Sequence, residues 1–150
     1  MSVILQAPDL FVFSIDEALD YGEKRHLPYA VLSLITAREV QLYGGGNSPW
    51  FDPRDCRAHL WIDVSDVPND IEYLDAMTRD QARQIAQWVD ELPKIDTLIV
   101  HCAAGISRSA AAAAAIVRHW GLSDARFFGE PYDPNPHIFR LLDQAFKEIE

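Results

Sequence analysis

The stretch from Thr97 to Trp120 constrains this chain more than any other. Thr97 to Val100 is short, bulky and β-branched, which is the composition of a buried strand. Ala110 to Trp120 is rich in alanine and is closed by Gly121, so it reads as a helix with its stop signal. Between the two lies His101-Cys102-Ala103-Ala104-Gly105-Ile106-Ser107-Arg108-Ser109. A strand, a tight turn and a helix in that order form an α/β unit and argue against an all-α or all-β chain.

The rest of the sequence agrees with that class. Leu10 to Phe13 is a strand candidate, and Ser14 with Glu17 forms a capping box for a short helix ending near Gly22. Tyr29 to Ile35 and His59 to Val64 are further strands, with Gly44 to Asp55 between them as loop and residues 65–77 as another. Thr78 and Gln81 cap a helix carrying Ile85, Trp88, Val89 and Leu92 at helical spacing. Asn135 and Pro136 supply the N-cap and first turn of a last helix, whose stripe from Leu141 to Ile149 is core. The expected fold is a short, mostly parallel central sheet flanked by helices on both faces. A chain of 150 residues has material for one domain, residues 1–150.

Composition removes several functions. Lys and Arg total 13 against 23 Asp and Glu, a net charge of −10. The acidity is concentrated early: up to residue 75 there are 5 basic and 13 acidic residues, and 8 and 10 after it. Such a field repels nucleic acid and anionic membrane surfaces, so neither is expected as a partner, and any anion site has to be built locally. No apolar run reaches the length of a membrane span, and Met1 to Asp9 lacks the basic leader of a signal peptide. Two cysteines cannot make a disulfide framework, and no Cys/His cluster has zinc spacing, so a cytoplasmic protein without metal or cofactor is expected.

The segment 101–109 provides the local site. Successive backbone N–H groups in a turn between strand and helix converge on a hollow that suits phosphate oxygens. Gly105 permits a conformation other residues resist, and Arg108 adds a planar fork for two oxygens. Ala103, Ala104, Gly105, Ile106, Ser107 and Arg108 are therefore the candidate substrate-binding residues. Cys102 stands at the centre, where helix N-terminus and cation favour a thiolate, a strong nucleophile. His101 is placed to orient the loop through its ring, and the Ser109 hydroxyl to donate to the Cys102 sulfur as it leaves. By composition alone the full pattern arises by chance in on the order of one chain in 10⁵.

These residues match H-C-x-x-G-x-x-R-S, and the chain resembles the protein tyrosine phosphatase superfamily, most closely its small dual-specificity and bacterial-type members. The resemblance implies a cysteine-based phosphatase fold and a metal-independent hydrolase acting through a phosphocysteine intermediate. Its substrate is then a phosphorylated protein or small phosphomonoester, and phosphate-like oxyanions inhibit it. It also implies an Asp general acid on the loop after the preceding long strand. Asp66, just past that strand and before Val67-Pro68, is the first choice, with Asp70 and then Asp63 behind it. Phosphotyrosine is the favoured substrate, with dual specificity open. Two other readings stand beside it: a sulfurtransferase or arsenate-reductase-like enzyme using the same loop, and a catalytically silent phosphoprotein-binding module. Cys56 is read as an inert residue or as a redox partner of Cys102. The Gly44–Pro53 loop, with Trp50 and Phe51, is a wall of the cleft or an ordinary surface loop. Arg38, Arg54 and Arg57 are read as exposed, helix-flanking or paired, ahead of adding positive charge near the site, and His26, His59, His119 and His137 as structural or surface residues.

Overall fold

The computed structural model describes residues 7–23, 27–43, 55–69 and 75–150. Four strands, β1 (Asp9–Phe13), β2 (Tyr29–Leu34), β3 (Cys56–Ile62) and β4 (Thr97–His101), form one sheet in the order β1-β4-β2-β3. Every pairing among them is parallel, with Leu10 and Ala30 both level with Leu98. The helices are α1 (Ile15–Glu23), α2 (Ala37–Tyr43), α3 (Arg79–Asp90), α4 (Arg108–His119) and α5 (Pro136–Glu148), with a 3₁₀ turn at Ala125–Phe128.

Side-chain alternation along the strands divides the interior into two layers. Ala30, Leu32, Leu34, Leu98 and Val100 point into the main core with residues of α3, α4 and α5. Tyr29, Val31 and Ile99 point the other way, against Ala18 and Tyr21 of α1. All six residues of β2 are buried, as a central strand covered on both faces requires. In α4 the six alanines Ala110 to Ala115 are buried on every side, and their small side chains let the backbone lie close to its neighbours.

Capping is satisfied as read. Ser14 and Glu17 exchange bonds at the start of α1, Thr78 and Gln81 at α3, and the Asn135 side chain accepts from Ile138 N at α5. A third box, Thr36 with Glu39, opens α2, a helix in a stretch to which the sequence reading assigns no element. The 3₁₀ turn was likewise unmarked. β3 runs from Cys56 to Ile62 rather than from His59 to Val64, because its ladder matches the length of β2, from Tyr29 paired with Cys56 to Leu34 paired with Ile62, with a register irregularity at Tyr29/Ala30.

The topology also places a crevice. β1 and β4 are adjacent and parallel, yet α1 after β1 covers one face of the sheet and α4 after β4 the other. Chains leaving neighbouring strands in opposite directions open a gap at the carboxyl ends, the usual site of ligands in open α/β sheets. Residues 101–109 lie there.

Candidate functional site

The turn from Cys102 to Ser107 is held from outside through its carbonyls. Ala103 O accepts from Ile15 N at 3.2 Å, Ile106 O from Asp133 N at 3.0 Å, and Ser107 O from Asn135 N at 3.2 Å. Cys102 O lies 3.3 Å from His101 Nδ1. In a trans peptide the N–H points opposite to the C=O, so bonding these carbonyls outward turns the following N–H groups inward. Gly105 N donates to Cys102 Sγ at 3.2 Å, and the N–H groups of Ala103, Ala104, Ile106 and Ser107 take no partner among the described residues. Gly105 has φ +73°, and a Cβ there meets the backbone of Phe13 and Ser14 at 2.6 Å. Only glycine lets the turn wedge against the end of β1.

Cys102 forms the floor of this hollow, 2% exposed, while Ala104 and Ile106 stand exposed on its rim. Ser109 Oγ, on the first turn of α4, is 3.1 Å from the sulfur. The sulfur thus has a peptide N–H and a hydroxyl as neighbours, and interacts electrostatically with Arg108.

Arg108 is oriented by a residue the sequence reading missed. Its Nη1 and Nη2 donate to Glu39 Oε1 and Oε2 at 2.7 and 2.9 Å, and Nη1 donates also to Val64 O at 2.9 Å. Those bonds use the end of the guanidinium and leave Nε–H and the second Nη2–H, which share one edge. That edge is a ready fork for two oxygens of a tetrahedral anion. Burial works against the Arg108 charge, but the Glu39 bond, then the Cys102 sulfur and the carboxylates of Glu39 and Asp66, outweigh it and raise its pKa. Burial likewise works against charge on Glu39, and the Arg108 bond and Thr36 N–H outweigh it, holding the carboxyl below its ordinary range. The missed signal was Thr36-x-x-Glu39, a capping box whose glutamate serves helix and arginine together.

Asp66 is drawn to the same turn. Its Oδ1 accepts from Ser107 Oγ and from Asn135 Nδ2, both at 2.8 Å. Asn135 Nδ2 also donates to Val67 O at 2.8 Å, so the N-cap of α5 ties the loop after β3 to the turn after β4. Ser107 spends its hydroxyl on Asp66 and leaves α4 without a side-chain cap. Asp63 is occupied elsewhere: its Oδ1 accepts from Ala37 N at the start of α2, and its carbonyl from Gln81. Asp70, the Trp50–Phe51 segment, Arg54 and His26 lie outside the described residues.

The other candidates fall away from the hollow. Arg38 and Arg57 are exposed. His119 is buried on Phe146 between Asp90 and Glu150, and His137 bonds Met77 O. Cys56 lies at the opposite end of the sheet, level with Tyr29 and Thr97, two strands from β4. At about 3.3 Å per residue and 4.8 Å per strand, that is about 16 Å along and about 10 Å across from Cys102. A disulfide needs Cα atoms within about 7 Å, so the structure does not bring Cys56 into pairing reach of Cys102. Among the described residues no group of His, Cys, Asp and Glu is arranged to hold a metal ion, and no helix is long and apolar enough to cross a membrane.

The architecture matches that of solved phosphatases. The PTP-2 phosphatase of Cydia pomonella is 20% identical, covers 91% of this chain and 84% of its own, and superposes with a TM-score of 0.59. The Yvh1 phosphatase domain from Chaetomium thermophilum is 20% identical over 97% and 95% of the two chains, with a TM-score of 0.58. The human tyrosine phosphatase-like serine/threonine/tyrosine-interacting protein is 19% identical over 95% and 93%, with a TM-score of 0.53. No protein-family model matches the sequence, and no curated protein matches it significantly. The chain therefore has the fold of the protein tyrosine and dual-specificity phosphatases. That fold serves both phosphatases and a protein named only phosphatase-like, so the site residues have to decide the chemistry.

Proposed function

We propose that the protein is a metal-independent phosphatase that hydrolyses phosphate monoesters through a phosphocysteine on Cys102. The observation that carries this reading is the convergence of three groups on one turn. The Cys102 sulfur accepts the Gly105 N–H, the Arg108 charge interacts with that sulfur, and the Asp66 carboxyl is bonded to Ser107 of the turn. In the first step the Cys102 sulfur attacks phosphorus while Asp66 gives its proton to the leaving oxygen. Two donors already engage Asp66 Oδ1, so the proton belongs on Oδ2. The inward N–H groups and the Nε/Nη2 edge of Arg108 stabilise the equatorial oxygens as charge shifts. In the second step Asp66, now a carboxylate, takes a proton from water as that water attacks the phosphocysteine. Ser109 donates to the departing sulfur.

The favoured substrate is phosphotyrosine, with phosphoserine and phosphothreonine secondary. An apolar rim of Ala104 and Ile106, 42% exposed, suits an aryl group, and no basic residue flanks it in the turn. A resolving thiol for arsenate reduction is not at hand, since Cys56 is out of reach. Intact Cys102, Arg108 and Ser109 speak for turnover over silent binding. The test is hydrolysis of a small aryl phosphate. Turnover lost in Cys102→Ser, blocked by vanadate and unchanged by a metal chelator is expected. Turnover surviving in Cys102→Ser contradicts the nucleophile.

A further inference from the structure

Two histidine rings converge on one buried hydroxyl beneath the site. Ser33 Oγ, fully buried in β2, is 2.8 Å from His59 Nε2 and 2.6 Å from His101 Nε2. His101 Nδ1 in turn faces Cys102 O. Burial pushes both imidazoles down to about 4, so each is neutral at pH 7 and carries one ring proton. A carbonyl oxygen can only accept, so the proton of His101 belongs on Nδ1. His101 Nε2 is then bare and takes the Ser33 O–H. Ser33 has no second proton to offer, so His59 Nε2 must carry its own and donate it to Ser33 Oγ. The reverse assignment sets the lone pairs of His101 Nδ1 and Cys102 O against each other, and putting a proton on both Nε2 atoms strands the Ser33 proton in the interior.

We infer that Ser33 and His59 are positioning residues that lock His101 in its Nδ1–H tautomer, and through it hold the Cys102 carbonyl outward and the Ala103 N–H inward. The consequence for turnover rests on the phosphatase reading above; the proton pattern does not. Long-range ¹H–¹⁵N correlation on histidine-labelled protein at pH 7 reads that pattern directly. Nδ1–H with bare Nε2 on His101, and Nε2–H on His59, are expected. Nε2–H on His101, or averaging between its tautomers, overturns the lock.

Variants separate the lock from packing. His59→Gln keeps an amide donor at similar reach and is expected to preserve both the His101 signature and turnover. His59→Leu or Ser33→Ala is expected to let His101 mix tautomers and to lower kcat/KM about three- to tenfold, the weight of one neutral hydrogen bond. An unchanged His101 signature in His59→Leu overturns the inference. Should Ser33→Ala not fold, the His59 pair and the parent spectrum still decide. If the proton pattern is found but Cys102→Ser remains active, the inference stands and the phosphatase reading falls.

Discussion

Cys56 and Cys102 are both free and both buried, and their surroundings separate them. Cys56 sits at the start of an edge strand, gives its S–H to Ala58 O at 3.4 Å, and has its thiol pushed up to about 11 by burial. Cys102 sits just past the end of a central strand, receives the Gly105 N–H, touches Ser109 and interacts electrostatically with Arg108. Depth is nearly the same at 9% and 2% exposure, so depth does not make a nucleophile. One sulfur meets a carbonyl and the other meets donors. What differs is which end of the parallel sheet the residue occupies.

The sharpest way to test the donor-rich end is to remove the proposed proton source. Asp66→Ala should slow hydrolysis of esters with poor leaving groups by about 10²–10⁴ and affect an activated aryl phosphate far less, as steady-state rates across a leaving-group series will show. A uniform loss across the series removes Asp66 as the acid. Glu39→Ala frees the end of the Arg108 guanidinium. Arg108 is buried and Glu39 only partly so, and breaking such a pair costs at most about 3–5 kcal/mol in stability, the cost for a fully buried pair, which thermal unfolding will register. We expect a fall in kcat/KM of at least about tenfold with weaker vanadate binding, since the Nε/Nη2 edge is no longer aimed. Vanadate affinity equal to that of the parent contradicts the orienting role.

A smaller effect concerns the histidines below the floor. Their folded pKa values near 4 lie below the ordinary 6.5, so the unfolded chain binds protons first as pH drops. Their contribution is complete above about pH 6.5 and is lost progressively toward pH 4. Ser33→Ala should still show that slope, while His59→Leu should show a shallower one in chemical denaturation against pH. The smallest effect is expected at the carbonyl-bound cysteine: Cys56→Ala should leave kcat/KM within about twofold. A large loss there breaks the contrast between the two ends.

Much of this site was legible in order along the chain, and the illegible part was what crosses it. Strand, turn and helix at 97–120 could be read because β-branching, Gly105 and the alanine run are local signals. Asp66 stood out by its place after a strand. Its partners did not: Asn135 reads as an ordinary N-cap, and nothing local says that its Nδ2 reaches a loop some 70 positions earlier. Glu39 was hidden in a seven-residue helix, too short for apolar periodicity to show, although its capping box was present. His59 looked structural because its link to His101 passes through Ser33 on the strand between them, a register fact that only pairing in the sheet creates.

The central claim is a covalent phosphorus–sulfur bond at one cysteine and not the other. Rapid acid quench during turnover of an aryl phosphate, followed by peptide mass analysis, reads it directly. The account predicts a phosphoryl group on the peptide containing Cys102, none on the peptide containing Cys56, and its disappearance in Cys102→Ser. A phosphoryl group on a histidine or an aspartate, or an unmodified Cys102 throughout steady turnover, contradicts it.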